Sequence, residues 1–292
     1  FGEKLVLRIF DPEVLVRGFG QLGFSDEESA KWRDMIAKPH GIVLVTGPTG
    51  SGKTTTLYSS LKQLATPQVN VCSIEDPIEM VDPSFNQMQV QANIDLGFAE
   101  GIRALMRQDP DIIMVGEIRD LETAEVAVQA ALTGHLVLST LHTNDAPSAV
   151  TRLLDLGVPG YLLKAVLIGV VAQRLVRRLC PHCKQPVQLD EDRWFDLSGG
   201  AAILPPDTIY EPAGCLECRE TGYLGRVGIY EIMPLSDTLK SQLHQQTDGM
   251  LLRQYAIREG MTPLRTAGCR KIAEGLTSVE EVLGATMLEH GH

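Results

Sequence analysis

The stretch Ile42-Val43-Leu44-Val45-Thr46-Gly47-Pro48-Thr49-Gly50-Ser51-Gly52-Lys53-Thr54 decides the fold class of this 292-residue chain. Its first four residues form a short apolar run of the kind that makes a fully buried strand. The eight residues from Gly47 fit the P-loop pattern G-x-x-x-x-G-K-[ST], and the residues after it predict a helix. Glycines let the backbone curl so that its N–H groups face phosphate oxygens, and the helix N-terminus adds positive partial charge. Lys53 is then placed for the outer phosphates and the Thr54 hydroxyl for Mg²⁺, with Thr55 in the same first turn. An ordinary glycine-rich turn is the alternative reading; a strand before it and a helix after it argue against that.

Outward from this point, apolar runs at Ile42 to Val45, Val69 to Ile74, Asp111 to Val115 and Leu136 to Leu141 alternate with helix-length segments. That alternation predicts a parallel sheet with crossover helices, hence an α/β fold. Ser25 and Glu28 have capping-box spacing for a helix through Ile36, Pro39-His40-Gly41 stops it, and Asp120 with Thr123 opens another that ends at Gly134.

Binding nucleotide is not hydrolysing it, which also needs carboxylates for metal and attacking water. Asp111-Ile-Ile-Met-Val-Gly-Glu117 is an apolar strand with an acidic end, and Ser73-Ile-Glu75-Asp76-Pro77-Ile-Glu79 puts three carboxylates at the end of another. Ligands bind at the carboxyl ends of strands in open α/β sheets. The position just after the first apolar run, where an aspartate for Mg²⁺ is usual, is Gly116, so Glu117 is left to polarise water or hold metal, with Glu75 and Asp76 sharing the work. Glu79 reads equally well as a solvated loop charge. His135 and His142 bracket the strand Leu136 to Leu141, where a histidine can donate to a γ-phosphate and register its loss. Arg103, Arg107 and Arg119 flank the Glu117 segment and, taken alone, could simply balance nearby acids.

Past Leu179 the character changes. Cys180-Pro-His-Cys183 and Cys215-Leu-Glu-Cys218 are two C-x-x-C knuckles separated by 31 residues. Four thiolates at such spacing suit one closed, tetrahedral, structural Zn²⁺; paired disulfides are the lesser alternative in a reducing compartment. Cys72 and Cys269 fall on a predicted strand and helix and read as small buried residues. Arg174, Arg177, Arg178 and Lys184 lead into the module and read as a solvated helix face. From Leu235 the punctuation is helical: one segment ends at Gly260, a second runs from Thr262 to Glu274, and a third starts at the Ser278/Glu281 capping box. The expected division is 1–24, the end of a preceding domain and linker; 25–179, the nucleotide-binding core; 180–234, the Cys module and return to the core; and 235–292, a helical subdomain.

Composition sets outer limits. Hydrophobic residues at 44% and charged ones at 22% belong to an ordinary globular chain and exclude wholesale disorder. The longest uncharged apolar stretch, Ala165 to Ala172, is far below the roughly 18 residues of a bilayer crossing. A net charge of -11 disfavours a polyanionic partner, so no nucleic acid is expected. The opening FGEKLVLRIF reads as a strand in progress and is expected to continue from a longer protein.

The wording TGPTGSGKTTTLY, IEDPIE, RQDPDIIMVGEIRD and TGHLVLSTLHTNDA, in that order, resembles the Walker A, Asp box, Walker B and His box of the secretion traffic ATPases. These are the GspE/PilB group that drives type II secretion and type IV pilus assembly. FGEKLVLRIF is similar to the end of that family's N-terminal mobile domain, and the Cys module followed by GYLGRVGIYEIMPL resembles an extension that its retraction ATPases lack. The resemblance implies a RecA-like core in a homo-hexamer, with ATP between core and mobile domain. Glu117 and the Glu75/Asp76 pair would serve metal and water, and His142 would contact the γ-phosphate. Arg103, Arg107 and Arg119 match arginines that tie phosphate state to domain motion, and Arg8 matches one at the end of the mobile domain. It further implies a cytoplasmic location, peripheral at the inner membrane, with platform and recruiting proteins of a secretion or pilus machine as partners. Two rivals remain open: a conjugation or DNA-transfer ATPase on the same core, and a zinc-ribbon nucleic-acid-binding nucleotide switch.

Overall fold

A computed structural model of the chain describes residues 17–189, 191–198 and 204–286. A seven-stranded sheet runs through it in the order β3-β2-β4-β5-β1-β6-β9. These strands are β1 (Gly41–Thr46), β2 (Val71–Glu75), β3 (Asn86–Gln89), β4 (Ile112–Val115), β5 (Leu136–Leu141), β6 (Leu167–Leu179) and β9 (Tyr223–Pro234). Neighbours from β3 through β6 are parallel, and β9 closes the edge antiparallel to β6. Strands β1, β2, β4 and β5 are buried along their whole length. That accounts for their near-continuous runs of Val, Ile and Leu: helices cover both faces of a parallel sheet.

On one face lie α1 (Phe19–Leu22), α2 (Asp26–Ile36) and α3 (Lys53–Leu64), whose side chains join Phe19, Phe24, Trp32, Tyr58 and Tyr230 in one core. The capping box predicted for α2 forms: Ser25 Oγ accepts from Glu28 N at 3.2 Å and Glu28 Oε2 from Ser25 N at 2.8 Å. On the other face lie α4 (Phe98–Leu105), α5 (Leu121–Leu132), α6 (Ala146–Leu156) and α7 (Gly160–Val166). Asp120 caps α5 through Thr123 N at 2.8 Å, as its spacing predicts.

One expectation needs correction. The apolar run Ala165 to Ala172 is the end of α7 running straight into β6, and Arg174, Arg177 and Arg178 continue that strand rather than forming a solvated helix face. A 13-residue strand bordered on both sides has no alternation at its start, so periodicity cannot separate it from a buried helix. Arg174 is buried, and Arg177 pairs with Glu281 at 2.7 Å while lying over the Tyr223 ring. Lys184 donates to the Gly275 carbonyl at 2.8 Å.

Between β6 and β9 the chain makes a small antiparallel pair, β7 (Gln185–Val187) with β8 (Ile209–Glu211), and helix α8 (Glu191–Ser198). The chain then forms α9 (Asp237–Gln242), α10 (Gly249–Arg258), α11 (Leu264–Ala273) and α12 (Val279–Thr286). Trp194, Leu197 and Ile209 of the Cys region share a small core with Cys269, Ile272, Val279 and Val282 of α11 and α12. Cys72 and Cys269 are buried, as expected of small apolar residues. No helix among the described residues is long and apolar enough to cross a membrane. Arg8 lies outside the described residues.

Candidate active site and metal centre

Four strands deliver the candidate groups to one edge of the sheet. The P-loop follows β1, Glu75 ends β2, Glu117 lies two residues past β4 and His142 one past β5. They surround a cavity of about 650 Å³ lined by Thr49 through Thr55, Glu75, Asp76, Glu79, Gly116, Glu117, Thr140 and His142, among others.

Gly52 caps α3 at φ 87°, left-handed, where a Cβ would stand 2.8 Å from Gln173 Nε2. Gly47, at φ 151°, has the Gln173 carbonyl 2.5 Å from its Cβ position. Both glycines are therefore required by backbone conformation and by close approach of β6. Gln173 locks the loop from behind: Nε2 donates to the Ser51 carbonyl at 2.7 Å and Oε1 accepts from Thr56 Oγ1 at 2.8 Å. The Ser51 hydroxyl is buried without a hydrogen-bond partner, which fits a loop built to receive acceptor oxygens. Lys53 folds back, its Nζ donating to the carbonyls of Gly47 at 2.8 Å and Pro48 at 3.1 Å. Those two residues form the rear of the loop, while Thr49 to Thr55 face the cavity. Burial pushes the Lys53 amine down to about 8, with Glu117 opposing the shift.

Glu117 is largely buried. One oxygen accepts from Arg119 and the other lies 3.4 Å from His142 Nε2. Burial first, and then the Lys53 charge, pull the His142 imidazole below its ordinary value. The segment is anchored by rungs to β5: Ser139 Oγ donates to the Val115 carbonyl at 2.8 Å and Thr140 Oγ1 to the Gly116 carbonyl at 2.7 Å. Gly116 is closely bordered, with the Ile74 carbonyl and Phe98 ring 3.4 Å from its Cβ position, and the acidic side chain is carried one residue later.

The other candidates divide. Glu75 is buried and engaged on both oxygens: Tyr58 OH donates to one at 2.7 Å and Ser73 Oγ to the other at 2.6 Å. Asp76 and Glu79 line the cavity. Arg103 is engaged by Glu100 at 3.0 Å and Glu122 at 2.9 Å, and neither it nor the exposed Arg107 lines the cavity. His135 sits at the opposite end of β5, its Nδ1 2.8 Å from the Ala130 carbonyl. Sequence reasoning missed Gln173, which braces the P-loop, and read Arg174 as part of a solvated face, because it took no strand there; it also missed Arg226 on β9, which lines the cavity. Recognising that a parallel sheet needs a strand on the far side of β1 would have found the first two.

The four cysteines converge because β6 and β9 are antiparallel: Cys180 follows the end of one and Cys218 shortly precedes the start of the other. Their sulfurs all lie within 4.8 Å of one another, with Cys180–Cys215 and Cys183–Cys218 at 3.8 Å and Cys215–Cys218 at 3.7 Å. Tetrahedral Zn–S bonds of about 2.3 Å require S···S edges of about 3.8 Å, whereas a disulfide requires about 2.05 Å. Backbone N–H groups of Gly214, Cys215 and Gly222 point at these sulfurs at 3.2–3.3 Å, the usual outer support of a thiolate site. The donor set fits a divalent thiophilic metal.

A parallel sheet with a P-loop after one strand and acids at the ends of two others defines an α/β P-loop nucleotide-binding protein. Residues 1–284 match the family described as Type II/IV secretion system protein, and the chain belongs to that family. It is 65% identical over 97% of its length to the type IV pilus assembly ATPase TfpB of Acinetobacter baylyi, covering 48% of that protein. It is 49% identical over 99% of its length to type II secretion system protein E of Pseudomonas aeruginosa, covering 57%. The chain thus spans about half the length of the curated relatives it matches. Among solved structures it is similar to the pilus retraction motor PilT with bound ADP, at a TM-score of 0.68 and 28% identity over 94% of this chain and 68% of that one.

Proposed function

We propose that this chain is the ATP-hydrolysing part of a hexameric motor that powers type IV pilus assembly or type II secretion from the cytoplasmic face of the inner membrane. Greater identity to the pilus-assembly relative, 65% against 49%, favours pilus extension. The reading divides the chain into 25–179 as core, 180–234 as Cys module with its return strand and 235–292 as helical subdomain, with 1–24 ending a mobile domain.

The observation that supports hydrolysis over mere binding is the Glu117–His142 pair facing Lys53 across one cavity. The substrate is a nucleoside triphosphate. Lys53 leaves the Gly47 and Pro48 carbonyls to meet the outer phosphates, and the loop N–H groups take their oxygens. Glu117 holds the attacking water and accepts its proton, while Arg119 keeps that carboxylate oriented. His142, neutral at its depressed pKa, donates to the γ-phosphate end. Thr54, with Asp76 or Glu117, would hold Mg²⁺, which neutralises developing phosphate charge. Glu75 fixes β2 against α3 through Tyr58 rather than meeting water. The four cysteines would hold a structural zinc.

In the protein containing this chain, Lys53→Ala is expected to abolish nucleotide binding. Glu117→Ala is expected to lower the rate of phosphate release by at least about a hundredfold with ATP still bound. Steady-state phosphate release and calorimetric titration check both, and full turnover in the Glu117 variant would reject the assignment.

A further inference from the structure

A buried carboxylate that takes no part in the chemistry just described joins the C-terminal helices to the loop carrying His142. Glu231, on β9, is fully buried. One of its oxygens accepts from Ala146 N at 2.9 Å, at the start of α6, and the other from Leu264 N at 3.3 Å, at the start of α11. Arg253 of α10 lies 3.4 Å from that second oxygen and reaches Asp145 Oδ2 at 3.2 Å. Asp145 in turn caps α6 through Ser148 N at 2.8 Å.

Residues 142–145 are thus gripped from one side by the C-terminal helices. From the other side they are gripped by the P-loop strands. Thr143 N donates to Thr46 Oγ1 at 2.9 Å, one residue before Gly47. Arg174 donates to the Asn144 carbonyl at 2.8 Å and to the Gln173 carbonyl at 3.0 Å, and Gln173 holds Ser51. Removing a buried charge's partner leaves the other uncompensated, so this clasp has one favourable arrangement rather than a continuum.

We infer that Glu231 and Arg253 form a positioning pair that sets the 142–145 loop, and through it His142, for the hydrolytic step, so that the placement of α10 and α11 governs turnover. The inference rests on the reading of the cavity as an ATP-hydrolysing site. The pair touches no substrate. Its loss acts on the rate constant of the bound state and leaves the Lys53 phosphate grip in place.

The test compares wild type with Glu231→Gln, Arg253→Met, Arg253→Lys and the Glu231→Gln/Arg253→Met double variant in the full-length protein, with melting temperatures recorded. Glu231→Gln and Arg253→Met are each expected to lower kcat about tenfold with KM for ATP within about twofold. The double variant should lose no more than the worse single one, because a clasp is broken once. Arg253→Lys should recover part of the rate. Arg253 is partly exposed, so its variants keep the test decisive if the Glu231 variant does not fold. Unchanged kcat in folded Arg253→Met, a rise in KM alone, or multiplicative losses in the double variant would overturn the pair's role while leaving the ATPase reading intact. A wild-type protein without ATPase activity would overturn that reading and this one together.

Discussion

Lys53 illustrates how a single residue can be made ready for one ligand. It is buried, capped by two carbonyls and subject to the opposite charge of Glu117 and the like charge of Arg174. Burial lowers its pKa from 10.5 to about 8, so the free protein at pH 8.5 holds much of this amine neutral. A triphosphate favours the ammonium form and must raise the value again. Nucleotide binding above about pH 8 is therefore expected to take up a proton and to weaken as pH rises further. Calorimetry at pH 8.5 in two buffers of different ionisation enthalpy reads that uptake directly. Lys53→Arg, whose charge does not titrate in this range, should abolish it.

At the scale of elements, the long antiparallel pair β6/β9 has two jobs at its two ends. At one end, Gln173 of β6 braces the P-loop, while Arg174 of β6 and Glu231 of β9 hold the loop after His142. At the far end the same two strands bring the cysteine knuckles together. Around them α8, α11 and α12 share only a small apolar cluster, so a metal held by the four cysteines would carry much of the local stability. The protein is expected to hold one zinc per chain by elemental analysis. Cys215→Ser should lose it and lower the melting temperature by about 5 °C or more, since 1 kcal/mol is worth roughly 2–4 °C at this size.

In the whole molecule, Arg103 and Arg107 of the Walker B region do not line the cavity they are expected to serve. Arg103 is held by Glu100 and Glu122, and Arg107 is exposed. A ring in which each cavity meets the next subunit would bring such groups to phosphate from outside. Arg107→Ala and Lys53→Ala, each inactive, are then expected to regain activity when co-assembled. Up to about a quarter of sites would combine an intact P-loop with an intact neighbouring arginine. Phosphate release from the mixture, compared with each variant alone, measures this.

Across these scales, local signals were legible wherever the chain interacts with itself over a few residues. Ser25 with Glu28, Asp120 with Thr123 and the loop from Gly47 to Thr54 could be read because caps and phosphate loops depend on spacing alone. The ends of three buried strands pointed to Glu75, Glu117 and His142 for the same reason: apolar runs mark strands, and ligands gather at their ends. What spacing could not reveal is partnership between distant segments. That Glu75 accepts from Tyr58, that Gln173 supports Ser51 from 122 residues away, and that Glu231 joins Ala146 to Leu264 all follow from strand order and helix packing. A buried carboxylate has the same letter in the sequence whether it faces water, metal or an arginine, and burial decides between them.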